Sequence, residues 1–265
     1  MNKIFAIGDI HGDFKPIRKF YNYLKINKQE PDNSDTLICL GDFGANFFFN
    51  HRDEQFKEKI KKYNFTYFVI RGNHEERPEI CAERSSAEWH TETFFGGQVW
   101  VENKYPYIKY AMDRPHPYSI HGHFTYIFPG AYSVDKFYRL DNGWSWFPQE
   151  QLNEDEMELG ERYVKACSTC DLVLSHTCPV SFEPTDLFLP QVNQSLVDKS
   201  MERYLEKIER KLNYKLWLFG HYHATRVYPD LEHPVIMLFN QVAIDIDKYF
   251  ETENIFESLI HFMGE

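Results

Sequence analysis

The sequence predicts an α/β fold organised around a parallel β-sheet. Three observations carry that prediction. A short apolar run followed by a polar cluster rich in Asp, His and Asn occurs five times along the 265 residues. Amphipathic helical stretches lie between some of these runs. The composition, 43% apolar and 26% charged, is that of a folded globular chain.

The first run, Lys3–Ile7, ends in Gly8-Asp9-Ile10-His11-Gly12. Its length and its glycine boundary are those of a buried strand. Ile17, Phe20, Tyr21 and Leu24 then recur at helical spacing and mark one helix face. The second run, Thr36–Leu40, leads into Gly41-Asp42-Phe43-Gly44. Phe56, Ile60 and Tyr63 place a second helix on a Lys-rich stretch. The third run, Tyr67–Ile70, leads into Arg71-Gly72-Asn73-His74-Glu75. Alternation of strand and helix implies parallel pairing through crossover helices.

From about residue 84 to 150 the chain is aromatic and punctuated by Gly and Pro. Gln98–Glu102, Tyr107–Met112 and Tyr118–Phe128 read as strands of a second sheet or a cap. Asp171–Leu174 then runs into Ser175-His176. Met201, Tyr204, Leu205, Ile208 and Leu212 define a helix over Ser200–Leu212. Leu216–Phe219 runs into Gly220-His221-Tyr222-His223, and Pro234–Phe239 and Gln241–Ile246 are strand-like. With no repeat, low-complexity stretch or long linker, residues 1–265 read as one domain. In parallel sheets ligands gather at the carboxyl ends of the strands, where all five polar clusters fall.

Charge and cysteine content narrow the function. Lys and Arg number 29 against 40 Asp and Glu, a net charge of −11. That balance disfavours a dedicated binder of nucleic acid or anionic membrane. No apolar run is long enough to span a bilayer, and Ile4–Ile7 is cut by Gly8 and Asp9, too short for a signal-peptide core. Five cysteines, an odd and sparse set, point to a reducing cytoplasm.

Taken singly, each cluster is an ordinary turn. Together they present Asp9, His11, Asp42, Asn73, His176, His221 and His223 at five strand ends. Imidazole and carboxylate together suit Zn, Mn, Fe or Ni, and the lack of thiolates disfavours a structural zinc site.

The ordered set GDIHG, GD, RGNHE, SH and GHYH resembles the calcineurin-like metallophosphoesterases, over residues 8 to 223. The resemblance implies a four-layer α/β/β/α sandwich with two divalent metal ions (Mn, Fe, Zn or Ni) between the strand ends. It implies Asp9, His11 and His223 as ligands of the first metal and Asn73, His176 and His221 as ligands of the second, with Asp42 bridging. It implies His74 as the catalytic histidine, protonating the leaving group or steadying the transferring phosphoryl. The implied activity is a phosphatase on small monoesters or nucleotides, with a bridging hydroxide as nucleophile; the alternative is a phosphodiesterase or nuclease on the same site. Two cations ~3.5–4 Å apart acidify a bridging water and hold phosphate oxygens. A scaffold that has lost its chemistry would lack a ligand or the histidine, and none is missing. Strong nucleic-acid binding and membrane association are not expected.

The sequence also departs from the pattern. Protein phosphatases of this family carry Asp-Arg-Gly shortly after the bridging Asp, whereas Asp42 is followed by Phe43-Gly44-Ala45-Asn46. One phosphate-gripping Arg is therefore absent, and Arg77 and Arg139 are candidates to replace it, with a solvated surface role the alternative. Cys167-Ser-Thr-Cys170 lacks the second pair that a zinc site needs and reads as two ordinary thiols near a helix end. His121 and His123 read as neighbours on one strand face. Tyr132, Phe137, Tyr138, Trp144 and Trp146 read as core packing, with a pocket wall the alternative.

Overall fold

Side chains alternate along each strand, so one strand serves two interfaces. In the first strand, β1 (Ile4–Ile7), Ile4 and Ala6 face one layer and Phe5 and Ile7 the other. The computed structural model describes residues 2–84, 87–228 and 233–262. After β1 come α1 (Lys15–Ile26), β2 (Thr36–Cys39), α2 (His51–Ile60), β3 (Thr66–Val69) and α3 (Pro78–Arg84). The aromatic segment supplies β4 (Trp89–Phe94), β5 (Gly97–Glu102), β6 (Ile108–Ala111), β7 (His116–Ile120), β8 (His123–Phe128) and a short α4 (Lys136–Asp141). There follow α5 (Glu154–Ala166), β9 (Leu172–Ser175), α6 (Ser200–Glu209), β10 (Leu216–Phe219), β11 (Arg226–Tyr228) and β12 (Val235–Met237). The chain closes with β13 (Val242–Asp245), α7 (Ile246–Thr252), α8 (Ile255–Ser258) and β14 (Leu259–His261).

The strands form an eight-stranded sheet, β14-β13-β1-β2-β3-β6-β5-β4, and a six-stranded sheet, β11-β12-β10-β9-β8-β7. The centre of each is parallel: β1-β2-β3-β6 in the first and β8-β9-β10-β12 in the second. Registers are level, with Ile7 beside Cys39 and Cys39 beside Val69. The carboxyl ends of β1, β2 and β3 therefore stop together.

One core fills the space between the sheets: Ile38, Leu40, Phe68 and Ile70 from the first meet Leu172, Leu174, Leu216 and Leu218 from the second. On the outside of the first sheet, α1 and α2 bury Ile17, Phe20, Leu24, Phe56 and Ile60 on Phe5, Leu37 and Tyr67. On the outside of the second, α6 buries Met201, Leu205 and Ile208 on Val173, Trp217 and Phe219. The result is the α/β/β/α sandwich. Each fully buried Leu or Ile contributes on the order of 1.5–3 kcal/mol. Among the described residues, no helix is long and apolar enough to cross a membrane.

The aromatic segment differs from its sequence reading. It divides between the sheets, β4–β6 extending the first and β7–β8 the second. The run Tyr118–Phe128 is a hairpin, not a single strand. His121 and Gly122 form its turn with φ of 47° and 87°. His121 is consequently no strand-face partner of His123. It contacts Asp247 through Nδ1 at 2.8 Å, while His123 stacks on Phe250. Phe137, Tyr138 and Trp144 are exposed rather than core.

Candidate active site

The turns that end β1, β2, β3, β9 and β10 converge at one end of the sandwich. Their backbone is unusual: His11, Asp42, His221 and His223 all have positive φ, between 50° and 71°. Such conformations cost on the order of 1–3 kcal/mol each and persist where the surrounding structure fixes them. Two glycines permit the close approach. A Cβ at Gly41 (φ 107°) would land on the His176 ring, and one at Gly72 on the Asp42 carboxylate.

Asp42 lies at the centre. Its Oδ1 accepts the backbone N–H of His74 at 2.7 Å and lies 3.6 Å from His176 Nε2. Its Oδ2 lies 3.9 Å from His11 Nε2. On the His11 side, His11 Nε2 and His223 Nε2 are 2.8 Å apart, and His223 Nε2 is 3.3 Å from Asp9 Oδ2. Asp9 is fully buried; Oδ1 accepts the His221 N–H, while Oδ2 has no hydrogen-bond partner.

On the other side, Asn73 Oδ1 lies 2.9 Å from His176 Nε2 and 3.1 Å from His221 Nδ1. Hydrogen-bond logic fixes which atoms these are. His176 Nδ1 donates to the Leu40 carbonyl at 2.8 Å, so Nε2 carries a lone pair. Asn73 Nδ2 donates to Ser133 Oγ at 2.9 Å, and that hydroxyl gives its own proton to Glu150 at 2.5 Å. The Asn73 oxygen must then face His176. An amide oxygen and an imidazole lone pair pointed at each other repel unless a cation lies among them. With the orphaned Asp9 oxygen, this is the donor set that fits divalent cations. Among the described residues, three groups bring their ligand atoms within 4.8 Å of one another: Asp9-His11-His223, His11-Asp42-His74 and Asp9-Asp42-His176.

Protonation states agree with a cation-binding role. Burial, reinforced by His176, pushes His221 down to about 3, so its imidazole is neutral. Burial also lowers His74, to about 4, against the pull of Asp42. Burial alone would raise Asp42, but the imidazoles of His176, His74 and His11 outweigh it and hold the carboxyl well below the usual range. Asp9 is lowered in the same way: burial raises it, but His223, His176 and His11 together outweigh burial.

A family model, calcineurin-like phosphoesterase, matches residues 2–225. The chain belongs to that family. It is a metal-dependent phosphoesterase. A solved structure 13% identical aligns over 99% of this phosphoesterase and 99% of its own chain with a TM-score of 0.55, which places the fold. Also similar in outline are TT1561 of Thermus thermophilus (13% identity, 93% and 95% coverage, TM-score 0.49) and a putative 5′-nucleotidase from Staphylococcus aureus (14% identity, 99% and 54% coverage, TM-score 0.47). No curated protein matches the sequence significantly.

The phosphoesterase brings together all eight residues named from its sequence: Asp9, His11, Asp42, Asn73, His74, His176, His221 and His223. Other expectations are corrected. Arg77 does not face the site; its guanidinium is tied to Asp113 at 2.9 Å, to Glu156 and to the Gln149 and Gln151 carbonyls. Arg139 is neither solvated nor free. It is buried, bonded to Asp135, to the Ser145 carbonyl and to Ser133, and it borders the cavity beside His11 and His74. Cys167 and Cys170 are free thiols, Cys167 capping the C-terminus of α5.

Sequence reasoning missed Ser133 and Glu150, which orient Asn73. It also missed Glu75, whose buried carboxyl accepts the Gly44 N–H at 2.7 Å and holds the turn after Asp42. Burial, with Asp42 nearby, raises Glu75 to about 8. Two cavities flank the centre. One of about 340 Å³ is walled by Tyr132, Leu187, Phe188 and Tyr222 beside Asn73 and His221; the other, of about 660 Å³, lies beside His11 and His74.

Proposed function

We propose that this phosphoesterase hydrolyses small phosphate monoesters and nucleotides with two divalent cations. The observation that carries the reading is the arrangement around Asp42, one carboxylate whose two oxygens face two separate donor groups. In this reading Asp9, His11 and His223 hold the first cation, Asn73, His176 and His221 the second, and Asp42 both. The cations, when bound, acidify a water and neutralise phosphate oxygens.

The remaining steps belong to the chain. The His74 amide fixes Asp42, and its ring stands at 5.0 Å from that of His11, edge to face. Its neutral imidazole donates a hydrogen bond at the leaving oxygen that strengthens as negative charge develops there, help worth about 10²–10³-fold. Asn73 contributes a neutral oxygen, which limits the negative charge presented to an anionic substrate. The flanking cavities match compact ligands. The net charge of −11 opposes approach of a long polyanion.

Rates with Mn²⁺ on p-nitrophenyl phosphate, bis-p-nitrophenyl phosphate, nucleotides and single-stranded DNA test the reading. Monoesters and nucleotides should lead in kcat/KM. Diester preference, with DNA cleavage falling steeply as salt rises, would replace this reading by the nuclease alternative.

A further inference from the structure

The two cavities beside the centre differ in charge. The smaller one carries Glu183 and Glu202 among its apolar walls. The larger one carries Arg52, at the start of α2, and the buried Arg139, with Phe47, Phe48 and Trp144. Asp135 borders both but is engaged by Arg139 at 3.1 Å.

Arg52 stands apart from the other arginines near the site. Arg71, Arg77 and Arg139 are buried and bonded to carboxylates or carbonyls. The Arg52 guanidinium makes no ion pair or hydrogen bond among the described residues. It is held over the Phe48 ring at 4.8 Å, which limits its freedom without consuming its donors. Asn50 caps α2 by accepting the Arg52 N–H, which fixes the backbone from which the side chain extends. The same cavity is bordered by His11 and His74, so a phosphate at the centre and a group at Arg52 share one continuous space.

We infer that this cavity is a subsite for a second anionic group on the substrate, gripped by Arg52, with an aromatic portion of the substrate against Trp144 and Phe47. The inference rests on the hydrolase reading above and narrows its substrate class to aromatic compounds bearing a second phosphate. A bidentate guanidinium–phosphate contact made equally in ground and transition states acts on KM and leaves kcat alone.

The test compares p-nitrophenyl phosphate with adenosine 3′,5′-bisphosphate in the full-length protein with Mn²⁺, where Arg52→Ala should raise KM for the bisphosphate about tenfold and leave its kcat unchanged. The variant should leave both constants for p-nitrophenyl phosphate unchanged, and Arg52→Lys should fall between. A second readout needs no turnover. Bisphosphate added to metal-free protein should quench a tryptophan signal that Trp144→Phe removes, with affinity about tenfold weaker in Arg52→Ala. Equal constants in wild type and Arg52→Ala in both measurements would overturn the subsite. Wild-type protein that quenches but hydrolyses neither ester would overturn the hydrolase reading and leave the subsite standing.

Discussion

Replacing Ser133 by Ala tests the orientation of Asn73 without touching a proposed ligand. Ser133 is buried, and its Oγ accepts from Asn73 Nδ2 and Arg139 while donating to Glu150. Removing it strands the Asn73 Nδ2 donor, a penalty of about 1–3 kcal/mol. The amide escapes that penalty by rotating, which turns Nδ2 onto the lone pair of His176 Nε2, now 2.9 Å from the oxygen. The rotated amide offers a cation an N–H₂ group where an oxygen stood. Loss of such orienting contacts lowers metal affinity by about 10–100-fold, equivalent to about 1.4–2.7 kcal/mol. Calorimetric Mn²⁺ titration should show that loss in one of two binding events, and excess Mn²⁺ should restore p-nitrophenyl phosphate turnover. Unchanged Mn²⁺ affinity in a folded Ser133→Ala protein would refute the reasoning.

Asp42→Asn should lower metal content more than any other single ligand change and abolish activity; elemental analysis showing full occupancy would remove the bridging role. His74→Ala should damage alkyl phosphates more than p-nitrophenyl phosphate, because a basic leaving alkoxide carries more charge for the His74 hydrogen bond to stabilise; equal losses would leave His74 only to position the phosphoryl group. Burial, against the Thr177 hydroxyl bond, raises Glu202 from 4.5 to about 7, with Glu183, Lys199, Cys178 and Tyr222 around it. The folded state then keeps a proton that the unfolded state has released, so this group lowers stability as pH rises from the unfolded pKa through the folded one, by about 3 kcal/mol. Glu202→Gln should flatten urea midpoints between those limits relative to wild type, and parallel pH profiles would show that Glu202 is ionised throughout.

Much of the site is legible in the sequence because buried parallel strands leave an uninterrupted apolar signature. Where Ile7, Cys39 and Val69 end in register, the next residues must turn, and chemistry-bearing side chains there are forced into proximity. What is not legible depends on partners distant in sequence. Nothing near Arg77 announces that Asp113 and Glu156 saturate it, and nothing near Ser133 announces Glu150. Arg52 carries no motif, only a guanidinium left over once other pairings are known. The Tyr118–Phe128 run hides its turn inside a continuous aromatic stretch, and only Gly122, a residue suited to positive φ, signals the reversal. The exposed Phe137, Tyr138 and Trp144 show that aromatic content alone does not identify a core.

The seven proposed ligands are divided between the sheets. Asp9, His11, Asp42 and Asn73 follow β1, β2 and β3, while His176, His221 and His223 follow β9 and β10. Neither sheet owns the chemistry. The ligand atoms that meet across the divide stand 2.8 to 3.6 Å apart. A slip of one sheet past the other by a single residue's rise, about 3.3 Å, is as large as those separations and would dismantle the site. The tolerance of the reaction is therefore set by Leu40, Ile70, Leu174 and Leu218, packed between the layers and bearing no reactive group. Their volumes act as the shims of the catalyst: a methylene added there costs about 1–3 kcal/mol of strain, and it also misaligns two half-sites that function only as a pair.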